Sequence, residues 1–277
     1  MSKTILITGS TDGIGKGTAF KLADLGWNIF IHGRNRERVD KTVEIVRKTT
    51  GNTQIQGIVG DFSSLKEVEN MCEDILVSTN RLDVLLNNAG VLMKSYELSA
   101  DGYEMTFAVN HLAHFYLTGR LLPLMLNSDS ARIINVSSGI HSSKITLDSL
   151  MSNDEFESVK NYSDSKLCNI LFSNKLAKLL EDKNITVNSM HPGVINTKML
   201  KDTWGHLGSD LIDGVEREMF LINSDKLKGV SGKYVNSFRV INPAVVSKEA
   251  SLQNELWELS LELLLRSGMQ DPYTYYL

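Results

Sequence analysis

The chain of 277 residues has only two cysteines, Cys72 and Cys168, far apart in sequence. Each sits in a helical pattern and reads as a buried thiol. So low a count fits a reducing compartment and excludes a disulfide framework. No stretch is apolar for long enough to span a bilayer, and the apolar run in the opening MSKTILITGS is too short for a signal peptide. No basic stripe or Lys/Arg-rich tail is present. With 29 basic and 33 acidic residues the net charge is −4, so nucleic acid and anionic membrane are poor partners. His111 and His114 are not four apart, there is no H-E-x-x-H, and the cysteines do not cluster with them, so no metal site is expected. The absence of G-x-S-x-G disfavours a serine hydrolase. Repeats, low-complexity runs and linkers are also missing. The expectation is one domain over residues 1–277, soluble and cytoplasmic.

What is there is alternation. Apolar runs at 3–8, 28–33, 53–61, 82–90, 131–139, 184–193 and 232–237 read as strands, with helical spacing between them. Gly26 stops the first helix, Asn35 caps the second, and SLKE at 64–67 is a capping box for the third. A long helical pattern covers about 101–122, and the last helix carries Leu252, Leu256, Leu259 and Leu263. Strand-helix alternation along the whole chain predicts an α/β fold: a doubly wound, seven-stranded parallel sheet of Rossmann type with helices on both faces. Residues 195–230 lack a clear strand. They mix Met199, Leu200, Trp204, Leu207, Leu211, Ile212, Met219 and Phe220 with charges, and read as a lid over an apolar substrate or as side chains that bury the insertion on the body.

The first strand runs into TGSTDGIGKG at 8–17, a Gly-rich turn that opens a helix. Strand, turn and helix form the context a dinucleotide motif requires. Gly9 makes the tight turn. Gly13 and Gly15 let the backbone approach a pyrophosphate at the helix N-terminus, where free N–H groups favour anions. The candidate segment is Gly9, Ser10, Thr11, Asp12, Gly13, Ile14 and Gly15. After the second strand come His32, Gly33, Arg34, Asn35 and Arg36, with the first acid, Glu37, already in the helix. A carboxylate there would bind the ribose hydroxyls of NAD, whereas an Arg accommodates the 2′-phosphate of NADP. Arg34, with Asn35 beside it and Arg36 able to share the role, therefore points to NADP(H). Asp12 in the Gly-rich turn argues mildly the other way.

In YSDSK (162–166), Tyr162 and Lys166 lie four apart and share one helical face. They read either as a surface pair or as a phenol tuned by a cation for proton transfer.

Taken in order, these segments resemble the short-chain dehydrogenase/reductase family. TGSTDGIG, NNAG (87–90), Asn110 in FAVNHLAHF, Ser138 in INVSSG, YSDSK and HPGVINT (191–197) match its motifs over residues 3–200. NHLAHFYLTGRLLPLM, SGKYVNS, LWELSLELL and the long gap from Ser138 to Tyr162 resemble the retinol dehydrogenase-like branch. The chain opens without the apolar anchor that many animal members of that branch carry.

The resemblance implies a catalytic set of Asn110, Ser138, Tyr162 and Lys166. A hydride moving to or from a carbonyl carbon changes the charge on its oxygen, which needs a proton donor and a hydrogen-bond partner. Tyr162 would exchange the proton, with Lys166 and the charged nicotinamide ring favouring the phenolate and Lys166 also holding the nicotinamide ribose. Ser138 would bond the substrate oxygen, with Ser137 as its nearest rival. Asn110 would hold a relay water or satisfy a helix carbonyl. Asn88, Ala89 and Gly90 would pass beside the adenosine ribose. Asp61, followed by Phe62, would accept from the adenine amino group or cap a helix. Pro192, Gly193 and Val194 would line the carboxamide, and Thr197 would bond that amide or a phosphate. The expected function is an NADP(H)-dependent oxidoreductase acting on an apolar, medium-to-large carbonyl or alcohol. The alternative is a dinucleotide-binding regulatory protein without chemistry. A homodimer or homotetramer through the Tyr162 helix is also implied.

Overall fold

The computed structural model describes residues 2–205 and 208–277. Seven strands run parallel: β1 (Thr4–Ile7), β2 (Asn28–Gly33), β3 (Ile55–Val59), β4 (Val84–Asn87), β5 (Ala131–Val136), β6 (Ile185–His191) and β7 (Lys233–Asn236). Their order in the sheet is β3-β2-β1-β4-β5-β6-β7. The sheet does not stop at seven strands: β8 (Arg239–Ile241) pairs antiparallel with β7 and forms the edge. A two-residue turn at Ser237 and Phe238, both with positive φ, joins them. Such turns are usually signalled by Asn-Gly or Asp-Gly. Ser-Phe carries no such signal, and three exposed residues show no alternation.

Helices cover both faces. They are α1 (Gly13–Asp24), α2 (Arg36–Thr50), α3 (Leu65–Ser78), the short α4 (Met105–Phe107), α5 (Ala113–Leu126), α6 (Ser158–Leu179), α7 (Lys198–Trp204), α8 (Leu211–Asn223) and α9 (Ala250–Arg266). Residues Ala108–Leu112 form a π-helical turn between α4 and α5. The strands alternate cleanly between two cores. Ile5, Ile7, Ile29, Ile31 and Ile134 face α1, α2 and α8. Leu6, Phe30, Leu85, Ile133 and Val187 face α3, α5 and α6. Among the described residues no helix is long and apolar enough to cross a membrane.

The caps explain the boundaries. Asp12 accepts from Gly13 N–H at the start of α1. Asn35 accepts from Arg38 N–H, and Gly51 ends α2 in the left-handed region. Ser64 accepts from Glu67 N–H, but Glu67 turns to Asp61 N–H at 2.8 Å, so only half of the expected capping box forms.

Beyond residue 245 the chain returns over α5 and α6. Trp257 of α9 meets Phe115 and Phe172. Tyr273, 2% exposed, packs on Phe115 and Trp257 and donates to Phe115 C=O at 2.7 Å. Pro272 sits directly on Gly119, where a Cβ would lie 2.6 Å from the ring. Between Phe172 and Lys178, α6 thus meets α9 of the same chain.

The insertion expected to be a lid divides in two. The α7 segment borders a cleft, through Met199, Leu200 and Trp204. The α8 segment docks on α1 through Val215, Met219 and Ile222, and Phe220 meets Phe238 edge to face. Leu211 and Ile212 are exposed, and Leu207 lies outside the described residues.

Glu218 of α8 is fully buried against Thr18 Oγ1 at 2.6 Å, and its other oxygen has no partner. Burial pushes its pKa up to about 8, with the Thr18 hydrogen bond pulling the other way. The folded state therefore holds a proton that the unfolded chain releases above its ordinary carboxylate pKa. Stability from this group is fully present below that value and is lost as pH rises through about 8. Glu218→Gln, which keeps the shape and the acceptor, should raise the urea midpoint at pH 8 and change it little at pH 4.5. A gain that does not grow with pH in paired denaturation curves would contradict a protonated Glu218. Tyr273→Ala should cost about 3–5 kcal/mol, the usual range for emptying a buried aromatic site, measured by the same unfolding experiment.

Candidate active site

The order of the strands reverses between β1 and β4, and a crevice opens at the C-terminal ends there, as it does in open α/β sheets. A cleft of about 1060 Å³ runs along it. Gly9, Thr11, Asp12, Gly13, Ile14, Arg34, Asn35, Asp61, Phe62, Asn88, Ala89 and Gly90 line it. So do Ser138, Tyr162, Lys166, Pro192, Gly193, Val194 and Thr197.

Three expected residues lie behind the wall. Ser10 is buried; its hydroxyl donates to Ile7 C=O at 2.7 Å and accepts from His32 N–H at 3.0 Å. Gly15 packs under Asn88, where a Cβ would stand 2.5 Å from the side-chain nitrogen. Asn110 sits in the π-helical turn, and its amide is fully engaged. It accepts from Val91 N–H at 2.7 Å and donates to Val91 C=O and Ser165 Oγ, each at 2.9 Å. A side chain so committed fixes the turn after β4. It remains close to the chemistry: a Cβ on Gly90 would stand 3.3 Å from both Asn110 Oδ1 and Lys166 Nζ.

Both serines border the cleft. Ser137 Oγ donates to Lys166 C=O at 2.7 Å, inside the core. Ser138 borders the cleft near Tyr162, and its Oγ accepts from Ile140 N–H at 3.3 Å. Lys166 Nζ lies 5.5 Å from the centre of the Tyr162 ring and donates to Val136 C=O at 3.0 Å. Burial pushes the phenol up to about 12, and the Ser138 hydrogen bond opposes this. Burial also lowers Lys166 to about 8. Burial is thus the largest influence on the phenol in the protein itself, while the ammonium is engaged by Val136 C=O.

At the far end, Arg34 lines the cleft and Arg36 does not; Arg36 lies 3.8 Å from Asp40 on the outside of α2. Arg38, missed in the sequence, lines the cleft and reaches Asp12 at 3.4 Å. The signal was available. Side chains on a helix lean toward its N-terminus, so the third residue after the Asn35 cap can reach back to the cleft. His32 was missed as well. Its Nδ1 accepts from Gly9 N–H at 3.0 Å, its Nε2 donates to Gly60 C=O at 2.9 Å, and its ring stacks on Phe62 at 4.5 Å. Burial lowers its pKa to about 4, so it is a neutral brace for the Gly-rich turn. Arg217 of α8 donates to Pro192 C=O at 2.8 Å and lies across Gly193, whose φ is +99°.

The cleft fits an extended dinucleotide. Gly9, at φ +66°, leaves room where a Cβ would press on Ala89 at 2.9 Å, and Gly13, at φ +57°, bares the start of α1. Free N–H groups there suit a pyrophosphate. Two guanidinium groups suit a further phosphate. Among the described residues no cluster of His, Cys, Asp or Glu could hold a metal ion.

Residues 3–207 match the family described as short chain dehydrogenase. Retinol dehydrogenase 14 of Mus musculus is 34% identical, over 93% of this chain and 84% of that protein. Retinol dehydrogenase 13 of Homo sapiens is 33% identical, over 98% and 86%. The chloroplastic short-chain dehydrogenase TIC 32 B of Brassica napus is 34% identical, over 94% and 88%. Among solved structures, a putative uncharacterized protein from Mycobacterium Paratuberculosis superposes with a TM-score of 0.79 at 26% identity, covering 97% of this chain and 94% of that one. A putative short chain dehydrogenase from Escherichia coli CFT073, complexed with NADPH, gives 0.71 at 25% identity, over 85% and 96%. The motifs in the cleft, the matched residues and these relatives agree, and the chain belongs to the short-chain dehydrogenase family, in its retinol dehydrogenase-like branch.

Proposed function

We propose that the protein is an NADP(H)-dependent oxidoreductase that interconverts a carbonyl and an alcohol on an apolar substrate of medium to large size. The observation that carries this reading is one cleft lined by Tyr162, Ser138 and Lys166 beyond β5 and by Arg34 and Arg38 beyond β2, on opposite sides of the β1/β4 switch. A bound nicotinamide would supply or take the hydride. Tyr162 gives the proton to the carbonyl oxygen, and a phenol that burial keeps protonated is suited to that in the reducing direction. Ser138 Oγ donates to the same oxygen. Lys166 lies beside Gly90 and the phenol, placed to hold the ribose. Met93, Ile140, Met199, Leu200 and Trp204 give the rest of the cleft an apolar wall. Water excluded by such a wall strengthens the hydrogen bonds inside it.

Tyr162→Phe should leave coenzyme binding nearly intact and lower carbonyl reduction by about 10²–10⁴, the usual scale for a positioned acid. A panel of aldehydes and ketones followed by NADPH absorbance gives both the substrate class and this comparison. Near-normal rates in the variant would end the assignment.

The coenzyme preference has its own test. β2 ends without a carboxylate, and Arg34 can form a charge-assisted contact worth about 1.5–3 kcal/mol, roughly ten- to a hundredfold in affinity. Dissociation constants for NADPH and NADH, read by fluorescence, should differ by about that factor. Arg34→Ala should weaken NADPH and spare NADH. Equal affinities in the wild type, or a preference that survives the substitution, would remove Arg34 from the phosphate site.

A further inference from the structure

Two side chains outside the expected catalytic set converge on one atom of Ser138. Its main-chain carbonyl accepts from Tyr234 Oη–H at 2.9 Å and from His141 Nδ1–H at 2.7 Å. The two rings meet edge to face, with centroids 5.1 Å apart. His141 Nε2 accepts from Ala244 N–H at 3.1 Å, so the imidazole is neutral and its proton is on Nδ1. A carbonyl oxygen has two lone pairs, and both are engaged here. The other end of the same peptide is also held: Gly139 N–H donates to His191 Nδ1 at 2.9 Å.

This matters because of where Ser138 lies. β5 ends at Val136, and the last link to β6 is Ser137 N–H to Met190 C=O at 2.7 Å. Past that point no ladder fixes the backbone. The bond from Ile140 N–H to Ser138 Oγ, at 3.3 Å, is long, and a substrate oxygen would compete for the same hydroxyl. Tyr234 is 3% exposed and does not itself line the cleft, and its proton is given to Ser138. Burial raises its pKa, and the nearby Tyr162 adds to this, so the hydroxyl stays a donor at any working pH.

We propose that Tyr234 and His141 are positioning residues: together they lock the peptide between Ser138 and Gly139 so that Ser138 Oγ points at the substrate oxygen beside Tyr162. The inference rests on the reading of Ser138 as the partner of that oxygen. Tyr234 and Ala244 lie beyond the family match at 3–207, so this part of the site is built by the C-terminal quarter of the chain.

Tyr234→Phe keeps the ring against His141 and deletes one donor. Carbonyl reduction should fall about tenfold in kcat, the effect of a hydrogen bond worth about 1.4 kcal/mol, with the NADPH dissociation constant unchanged. In a Ser138→Ala background the same substitution should change kcat no further; a tenfold loss that persists there would show that the hydroxyl acts elsewhere and overturn the proposal. His141→Gln, whose amide can donate to Ser138 and accept from Ala244, should retain more activity than His141→Leu. Equal losses in the two would remove His141 from the clamp. Hydrogen exchange read by mass spectrometry needs no substrate. Amides of residues 139–142 should exchange faster in Tyr234→Phe than in wild type, while those of β1 stay unchanged. Unaltered exchange at 139–142 would overturn the clamp even if no carbonyl on the panel were reduced. Full activity of Ser138→Ala alone would instead overturn the role of Ser138, with the exchange result still deciding the clamp.

Discussion

The hydroxyl of Thr8 joins β1 and β4 at the point where the chain leaves the sheet in opposite directions. It accepts N–H bonds from Asn88 at 2.8 Å and Ala89 at 2.9 Å. Asn88 returns its side-chain N–H to Thr8 C=O at 2.7 Å. A crevice at a switch point exposes strand ends whose ladder partners have gone, and each buried amide left unpaired would cost about 1–3 kcal/mol. One side chain removes that cost twice. It also sets the distance between the walls: Gly9 and Ala89 then approach so closely that only glycine fits at residue 9.

From Thr8 the bonded network runs to the catalytic helix. His114 Nε2 meets Thr8 Oγ1 at 3.0 Å, and its Nδ1 donates to Asn110 C=O at 3.1 Å. Asn110 grips Val91 and Ser165, and Ser165 Oγ donates to Tyr162 C=O at 2.7 Å. The coenzyme end and the chemical end of the cleft are therefore parts of one buried polar assembly. His32 and His114 work in it as neutral spacers, since burial lowers both far below the usual imidazole value, to about 4 and about 3. The π-helical turn at Asn110 belongs to the same device, because the extra residue per turn brings its side chain under Val91.

Most of the cleft was legible because glycine spacing and strand ends have local causes. The turn at 8–15, the Asn35 cap, Arg34 and the choice of Ser138 over Ser137 follow from φ, capping and alternation over a few residues. What escaped reading depends on distant partners. His32 looks like any strand-end histidine until Gly9 and Gly60 are placed on its two nitrogens. Arg38 looks like a surface charge until Asp12 stands beside it. The eighth strand has no turn signal, and Tyr273 has no pattern that marks it as core. The insertion could be split into cleft wall and docked helix only once α1 showed which of its apolar residues were covered.

The pair that spacing singled out, Tyr162 and Lys166, shows how burial can outweigh proximity. A cation a helical turn from a phenol favours the phenolate if both face water or each other. Here Lys166 Nζ is turned to Val136 C=O, and both groups are taken out of water. Desolvation disfavours the charged form of each, so the phenol rises and the amine falls. At neutral pH the resting pair is therefore a neutral phenol beside an amine that still keeps most of its charge, not an ion pair. The placement of both groups lies in the fold itself, because the hydrogen bonds that fix Lys166 and Ser138 are made to main-chain atoms of β5 and the turn after it.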